Sequence, residues 1–553
     1  MTTSSPETAL LASTQSASVG LWTPLRRSLF RWLWIATIVS NVGTWMQDVG
    51  ASWLMTSLAP APLWVAMVQV ATTLPVLLLS IPAGALADIV DRRKLLLGTQ
   101  AAMVLTACAL GAVTLRSAMS PSLLLLLTFV IGAGSALTGP AFQAIVPDLV
   151  PRRELLSAIS LNSMGFHLAR AIGPALGGVV VAATGPGFNF LLNGVSFLGT
   201  MIVLWGWNAP RRESLLPPED LLSAMRAGLR YARHAPALHA VMARGAVFTF
   251  GASVVWALLP LVARHQLRLG PQGYGLLLGS MGFGAVIGAL ILPRIREHLA
   301  PDRILGVASL VSAATCFGLA HVASPLWLGV LLVPAGAAWI GAASTVNACA
   351  QSSVPSWVRA RALSLNLLCI FGGVAFGSVA WGWLAGVVGV PVALDTAAGS
   401  LVVGLTVGIF VRLPDGRPLD LRPAPSEWTS DFVADPAPDD GPVLVTIEYR
   451  VDPGRGRAFE RAMGDLRRVR RRDGAIRWGL WADPATPGRF LESFVVGSWI
   501  EHMRQHERVT KADRELQAVA QAFHLDPKPP VVTHYIHARM DEDDAGRHDA
   551  DEV

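Results

Sequence analysis

The feature that most constrains this chain is a series of long apolar stretches that continues almost without interruption to Val411. An α-helix rises about 1.5 Å per residue, so about 20 apolar residues cross the hydrocarbon core of a bilayer. The charged fraction of 15% is also below the roughly 25% typical of soluble domains. We therefore predict an all-α membrane region with twelve spans. They are Leu29–Leu58, Leu63–Ala83, Leu95–Leu115, Leu123–Val146, Leu155–Ala183, Phe188–Trp207, Ala237–Val262, Gly273–Leu292, Ile304–Val322, Leu326–Ala350, Ala362–Val388 and Val390–Val411.

Basic residues are concentrated in alternate loops of this arrangement. Lysine and arginine favour cytoplasmic loops, so the alternation places both termini in the cytoplasm. The opposite loops contain only Arg116, Arg264 and Arg268. The net charge of +6 needs no nucleic-acid partner, because basic cytoplasmic loops account for much of it. The four cysteines have unrelated spacings and favour neither a disulfide framework nor a metal site.

The short charged loop between the second and third stretches resembles the signature G-x-L-x-D-[RK]-x-G-R-[RK]-x-x-L of major facilitator superfamily transporters. The matching residues are Gly84, Leu86, Asp88, Arg92, Arg93 and Leu96. Ile89 and Asp91 depart from it, and the alternative interpretation is ordinary positive loop charge. The resemblance implies a gate in which Asp88, Arg92 and Arg93 lock the cytoplasmic side across two halves, opposite the start of the eleventh helix.

An internal repeat supports two halves. The segment that starts at Val150-Pro151 and the segment that starts at Val354-Pro355 have the same Val, Pro, Ala, Ser, Leu and Asn at constant spacing, the last of these being Asn162 and Asn366. Repeated halves of this kind place the substrate site between them, near the middle of the membrane. The predicted divisions are a disordered cytoplasmic tail (1–28), a first six-helix half (29–207), a cytoplasmic connector (208–236), a second six-helix half (237–411), a linker (412–442), a ferredoxin-like domain (443–540) and an acidic disordered tail (541–553).

The fifth stretch contains a cluster of small residues around one proline. Its members are Gly165, Gly173, Pro174, Gly177 and Gly178. The pattern resembles the fifth-helix signature of drug and proton antiporters of the same superfamily. The alternative is ordinary helix packing, because small residues let neighbouring spanning helices approach closely.

Ionisable residues within the spans are the sharpest candidates for function, since each is costly unless it faces a cavity or a partner. Asp48 shares one helical face with Asn41 and Trp45, and Arg170 lies midway along the fifth span, one turn after His167. We predict that Asp48 and Arg170 couple transport to protons or substrate. The alternative is a static ion pair that fixes helix register. Asn41, Trp45, Asn162, His167 and Asn366 are candidates for lining the cavity.

Longer runs extend the resemblance to the transmembrane secretion effector family, which includes siderophore exporters and bacterial drug efflux proteins. The runs are NVGTWMQD from Asn41, ADIVDRRKLLL from Ala87, PAFQAIVPDLVP from Pro140 and ARAIGPALGG from Ala169. The resemblance implies multi-pass insertion in the bacterial inner membrane, no cofactor, and proton-driven efflux of a siderophore or an amphipathic drug. One departure weakens proton coupling, because the start of the fourth span (Leu123–Val130) lacks the arginine of many proton antiporters.

The tail after the linker reads as a soluble βαββαβ unit. Val443–Arg450 alternates like a strand, the helix Gly456–Arg470 follows, and the last strand is Val531–Ala538. The unit resembles the antibiotic-biosynthesis monooxygenase group, whose members often form dimeric barrels, so the tail can dimerise. His502 and His506 have the spacing of a metal pair, but without a third ligand we predict no metal. A membrane-tethered monooxygenase-like enzyme or a ligand sensor is the alternative function.

Overall fold

The computed structural model describes residues 20–207, 229–414 except 356, 436–437 and 440–538, and within these it leaves undescribed the side chains at 81, 84, 85, 87–89, 152, 360 and 507. The chain divides into two compact units. The helical unit comprises Met1–Leu216, Met242–Val346 and Leu367–Leu413, and the mixed unit comprises Pro217–Val241, Asn347–Asn366 and Pro414–Val553. The predicted terminal tails and the linker lie wholly or largely outside the described residues, as does most of the predicted connector.

Long helices account for nearly all of the described chain before the linker. They are α1 (Ser28–Leu58), α2 (Pro62–Ile89), α3 (Arg92–Leu115), α4 (Pro121–Leu149), α5 (Leu155–Thr184), α6 (Pro186–Trp205), α7 (Pro236–Leu261), α8 (Pro271–His298), α9 (Pro301–His321), α10 (Pro325–Ser352), α11 (Arg359–Val388) and α12 (Val390–Phe410). Proline opens most of them, because its missing N–H costs nothing in the first helical turn. Gly185 and Gly389, both with positive φ, separate α5 from α6 and α11 from α12, at the same spacing as the internal repeat.

Eleven of the described helices are long and apolar enough to cross a membrane, and α1 is not one of them. Its 31 residues are ample in length. Its polar residues, among them Gln47 and Asp48, lower its mean hydropathy. The chain is therefore a multi-pass membrane protein with eleven clear candidate spans. The remaining predicted span is α1, the helix that carries Asn41, Trp45 and Asp48.

The glycines of α5 bring backbones into contact with two other helices. A Cβ atom on Gly173 would lie 2.6 Å from the Trp45 Cβ of α1, and one on Gly177 would lie 2.7 Å from the Met46 Cα. On another face, a Cβ on Gly178 would lie 2.9 Å from the Gly275 Cα of α8. Any side chain at these positions would push the helices apart. The small residues of the fifth-helix motif therefore act in packing, in agreement with the alternative interpretation, whatever further role the motif has.

The mixed unit contains a four-stranded antiparallel sheet with the strand order β2-β3-β1-β4. Its strands are β1 (Val443–Arg450), β2 (Arg477–Ala482), β3 (Arg489–Val496) and β4 (Val531–Ile536), and its helices are α13 (Gly456–Asp473), α14 (Trp499–Arg508) and α15 (Lys511–Gln521). The predicted alternation in β1 is confirmed, because Val443, Val445, Ile447 and Tyr449 are buried while the residues between them are not. These side chains pack on Phe459 and Met463 of α13.

Candidate functional site

The candidate site lies in the helical unit, around the guanidinium group of Arg170. Its Cζ atom lies 5.6 Å from the ring centre of Trp45 on α1 and 5.3 Å from that of Trp256 on α7. The side chain is buried, with 7% of its surface exposed. Arg170 is therefore held between two indole rings in the cation–π arrangement, one ring from each set of six helices.

Buried nitrogen atoms in and beside this arrangement of Arg170 and the two indoles lack a hydrogen-bond partner. Arg170 Nε and Trp256 Nε1 are both buried donors with no acceptor within reach. His167, one turn before Arg170 on α5, likewise has a buried Nδ1 atom without a partner. Buried donors are almost always paired in folded proteins, so unpaired donors close together are exceptional and call for an explanation.

Aromatic rings extend the site away from Arg170. The Trp45 and Trp256 ring centres are 6.0 Å apart, and Trp256 meets Trp339 of α10 edge to face at 6.0 Å. Trp339 in turn lies 6.0 Å from Phe248. We call Trp45, Trp256, Trp339 and Phe248 the aromatic row. Of these residues, the sequence analysis selected Trp45 alone, because nothing in the local pattern of α7 or α10 marks their tryptophans as neighbours of Arg170.

The alternative of a static ion pair between Asp48 and Arg170 is not what the structure shows. Among the described residues, no ion pair or hydrogen bond engages the Asp48 carboxylate of α1 or the Arg170 guanidinium of α5. The two groups do not pair because they face different neighbours. The Arg170 guanidinium lies between the two indole rings, while Asp48 lies near Tyr274 of α8. The roles of both residues in coupling stay predictions.

One end of the helical unit is held together by a second arginine. Arg264, in the π-helical turn after α7, donates hydrogen bonds to Thr56 Oγ1 at 2.8 Å and to Ser57 Oγ at the end of α1. Its Cζ atom also lies 5.3 Å from the ring centre of Trp53. The first and the last six helices are thus clamped here, at the end where α1 terminates. The sequence analysis treated Arg264 only as loop charge and missed this contact.

The described residues of the loop motif bond within the first six helices. Arg92 Nη1 donates to the Ala144 carbonyl at 3.2 Å and lies 3.8 Å from Asp148, and Arg93 donates to the carbonyls of Leu204 and Trp205 at the end of α6. Leu86 is exposed. The surroundings of Gly84 and the side chain of Asp88 lie outside the described part of the structure. The cytoplasmic lock between the two halves therefore stays a prediction.

The other predicted cavity residues are distributed along several helices. Asn41 on α1 and Asn162 on α5 are partly buried. Asn366, in the mixed unit, is fully buried at 0% exposure, and neither its amide nitrogen nor its amide oxygen has a partner. Sequence reasoning missed the amide cluster of α6, where Asn193 Nδ2 donates to Gln47 Oε1 at 2.6 Å and Asn189 Nδ2 donates to the Met46 carbonyl at 2.7 Å.

The mixed unit contains a buried network of a different kind. Glu492 on β3 accepts hydrogen bonds from Arg470 Nε at 3.1 Å, Trp478 Nε1 at 3.0 Å and the Tyr449 hydroxyl at 3.4 Å. Arg472 is paired with Asp473 at 2.8 Å and with Asp513 at 2.7 Å. These charged groups compensate one another inside the domain.

The same unit includes the short segments that precede α7 and follow α10. Glu501 accepts a hydrogen bond from Arg230 at 2.9 Å and from Arg508 at 2.7 Å. The Arg508 guanidinium lies 4.7 Å from the Trp357 ring centre, and Arg472 lies 5.4 Å from that of Tyr231. The segments 229–241 and 347–366 therefore pack with the sheet and helices of the tail as parts of the mixed unit.

The histidines of the tail form a cluster with a third member that sequence reasoning missed. His506 Nε2 lies 3.3 Å from His502 Nε2, and the ring centre of His534 on β4 lies 4.8 Å from that of His502. Burial, helped by the neighbouring imidazoles, lowers the pKa of His502 to about 3, and burial near Arg470 lowers the pKa of His506 to about 4. Within the described parts of the chain, no group of three such side chains has an arrangement that could hold a metal ion.

Solved structures of membrane transporters have a similar fold. The nucleoside transporter NupG aligns with 70% of this chain and 100% of its own at a TM-score of 0.59 and 10% identity. A bacterial homologue of the iron transporter ferroportin aligns with 69% of this chain and 98% of its own at a TM-score of 0.56 and 16% identity. The chain therefore has the fold of these membrane transporters.

A sequence profile described as transmembrane secretion effector matches residues 19–542, and the chain belongs to that family. Among characterised relatives, the staphyloferrin A transporter of Staphylococcus aureus is 22% identical over 59% of this chain and 82% of its own length. The enterobactin exporter of Citrobacter koseri is 27% identical over 61% of this chain and 83% of its own. The sequence prediction of superfamily and family is confirmed.

Proposed function

We propose that this protein is a secondary exporter of the bacterial inner membrane that moves a siderophore or an amphipathic drug out of the cytoplasm. Membership of a family with siderophore exporters supports export, and the repeated helices support alternating access around a central site. In this proposal α1 is the twelfth span and both termini are cytoplasmic.

The observation that carries the coupling proposal is the environment of Asp48. This carboxyl group sits within α1, close to Tyr274, and no cation compensates it among the described residues. An uncompensated carboxylate inside a membrane is expensive, so a site of this kind is suited to taking up a proton in one conformation and releasing it in another. The clamp of Arg264 on Thr56 and Ser57 would close the outer side, while Asp88, Arg92 and Arg93 would act as the cytoplasmic gate.

The tail fits a supporting role. Its strand order and the alternation of its strands and helices support the predicted ferredoxin-like domain. The sheet face opposite α13 exposes apolar side chains, including Trp481 and Tyr535, which would suit dimerisation through this domain. The relatives named above are transporters, which favours transport over the alternative of a tethered enzyme.

Transport in everted inner-membrane vesicles tests the proposal. The panel contains a catecholate siderophore, a hydroxamate siderophore and a lipophilic cation, each with and without an imposed proton gradient. We expect gradient-driven accumulation of at least one compound, lost in Asp48→Asn because that side chain cannot carry the proton.

A matched control is Asp395→Asn. Asp395 also lies in a spanning helix, but it is half-exposed and lies 3.0 Å from His321 Nε2, so its loss should leave coupling intact. Accumulation by Asp48→Asn equal to that of the natural protein would refute coupling at this residue. Lack of accumulation of every compound by the correctly inserted natural protein would refute export of these classes.

A further inference from the structure

We infer that Arg170, Trp45 and Trp256 form a receptor for an anionic oxygen carried on an aromatic group of the transported molecule. The inference deepens the proposed export function and rests on it. Among the siderophores and amphipathic drugs that the sequence left open, it favours anionic aromatic molecules over lipophilic cations.

The first argument is charge. Arg170 is almost completely buried in a spanning helix, and among the described residues no carboxylate or other hydrogen-bond acceptor compensates it. Burying an uncompensated guanidinium is costly, and packing against two indoles offsets only part of this cost. Such a charge can persist if a ligand supplies the missing anion during the working cycle. A second cation at this place would instead be repelled.

The second argument is hydrogen bonding. Arg170 Nε and Trp256 Nε1 are N–H donors with no capacity to accept, and both are buried without a partner. The two groups lie together, because the Arg170 Cζ atom is 5.3 Å from the Trp256 ring centre. Donors that lie close together need an acceptor, so a carboxylate or a deprotonated phenol matches them and an ammonium group does not.

The third argument is shape. Beyond the guanidinium, the aromatic row continues from Trp256 through Trp339 to Phe248, with successive ring centres 6.0 Å apart. These rings are tilted or edge to face and offer both faces and edges to a planar guest. An aromatic group with its anionic oxygen at Arg170 would place its ring along this row.

The fourth argument is position. Trp45 and Arg170 belong to the first six helices, while Trp256 and Trp339 belong to the last six. A ligand bound to both sets would interact differently with the site when the halves move, which is the requirement for transport by alternating access. The backbone of Arg170 also lies directly against α8, since a Cβ on Gly282 would lie 2.5 Å from the Arg170 carbonyl oxygen.

Binding of two probes of the same shape and opposite charge tests the inference. Fluorescein is an anionic xanthene with a carboxylate and a phenolate, and rhodamine 6G is a cationic xanthene. Fluorescence polarisation is measured with the full-length protein in detergent, so neither a proton gradient nor transport is required. We expect the natural protein to bind fluorescein more tightly than rhodamine 6G.

Two substitutions at one position sharpen the test. Arg170→Gln removes the charge, and we expect its affinity for fluorescein to fall by about tenfold or more, with no loss of rhodamine binding. Arg170→Lys keeps a charge without the planar fork and should retain part of the affinity. Arg116→Gln is the control, because Arg116 is an exposed arginine between α3 and α4. Size-exclusion chromatography confirms that each variant is folded.

The outcomes separate this inference from the proposed function. Equal fluorescein affinity in Arg170→Gln and the natural protein, or preference of the natural protein for rhodamine 6G, would overturn the receptor even if vesicles export a compound. An Arg170-dependent preference for fluorescein in a protein that exports nothing would support the receptor and count against export.

Discussion

The buried Arg170 of the helical unit and the buried Glu492 of the mixed unit have opposite surroundings. In the mixed unit, Glu492 is fully buried at 0% exposure, yet three donors satisfy it, and Arg472 has two carboxylate partners. In the helical unit, Arg170 is buried between indoles, and among the described residues it has neither a counter-ion nor a hydrogen-bond acceptor.

This difference distinguishes buried charges that stabilise the fold from buried charges that are available to bind a ligand. A compensated ion pair contributes to the specificity of a core, and losing one member leaves the other buried and alone. An uncompensated charge contributes nothing to folding that a hydrophobic residue of the same size would not provide. Stability measurements can therefore distinguish the two kinds of site without any knowledge of the substrate.

The largest expected effect is in the mixed unit. Glu492→Gln leaves the Arg470 guanidinium buried without its anion, and we expect the free energy of unfolding of the α+β domain to fall by about 3 kcal/mol. Amide hydrogen exchange of β1 and β3 in the full-length protein measures it. Arg489→Gln is the control, because Arg489 pairs with Glu448 and Asp483 at the exposed surface and its loss should change exchange little. Unchanged exchange in Glu492→Gln would show that the network is not structural.

The second largest expected effect is a gain in stability, in the helical unit. Arg170→Met replaces an uncompensated buried cation by an apolar side chain of similar length, so we expect the helical unit to become more stable, by up to about 2 kcal/mol. The midpoint of thermal unfolding in detergent measures the change, with Arg116→Met as the control at an exposed position. A loss of stability comparable to that of Glu492→Gln would mean that Arg170 holds the fold, and the contrast between the two units would disappear.

The smallest effect concerns the histidine cluster. The folded-state pKa values of His502 and His506 lie near 3 and 4, well below the usual 6.5 of an unfolded histidine. Between these values the unfolded chain binds more protons than the folded domain, so stability falls as the pH drops. Between pH 7 and pH 5.5 we expect a loss of about 1 kcal/mol for each histidine.

Hydrogen exchange of the α14 amides at the two pH values, corrected for intrinsic rates, detects this loss. His502→Gln should reduce the dependence on pH, because glutamine does not titrate in this range. A pH dependence of the same size in His502→Gln would assign it to other groups.

Much of the architecture was predictable, since it depends on patterns that local physics imposes. Apolar runs of spanning length predicted eleven of the clear spans within a few residues, and the alternation of Val443, Val445, Ile447 and Tyr449 predicted β1. The fifth-helix glycines were recognised as a motif, but the helices they contact, α1 and α8, could not be assigned. Their partners are distant in sequence, and nothing in a glycine specifies which backbone approaches it.

In the candidate site, too, the sequence identified individual residues but not the residues that contact them. Sequence alone determined that this is a polytopic α-helical protein of the transmembrane secretion effector family, with Asp48 and Arg170 inside long apolar stretches, because hydropathy and motif spacing are properties of the chain. Only the tertiary structure decided that Arg170 meets Trp45 and Trp256 instead of Asp48. A side chain's partners depend on how helices rotate and pack against one another, and that packing is settled by all of their contacts together.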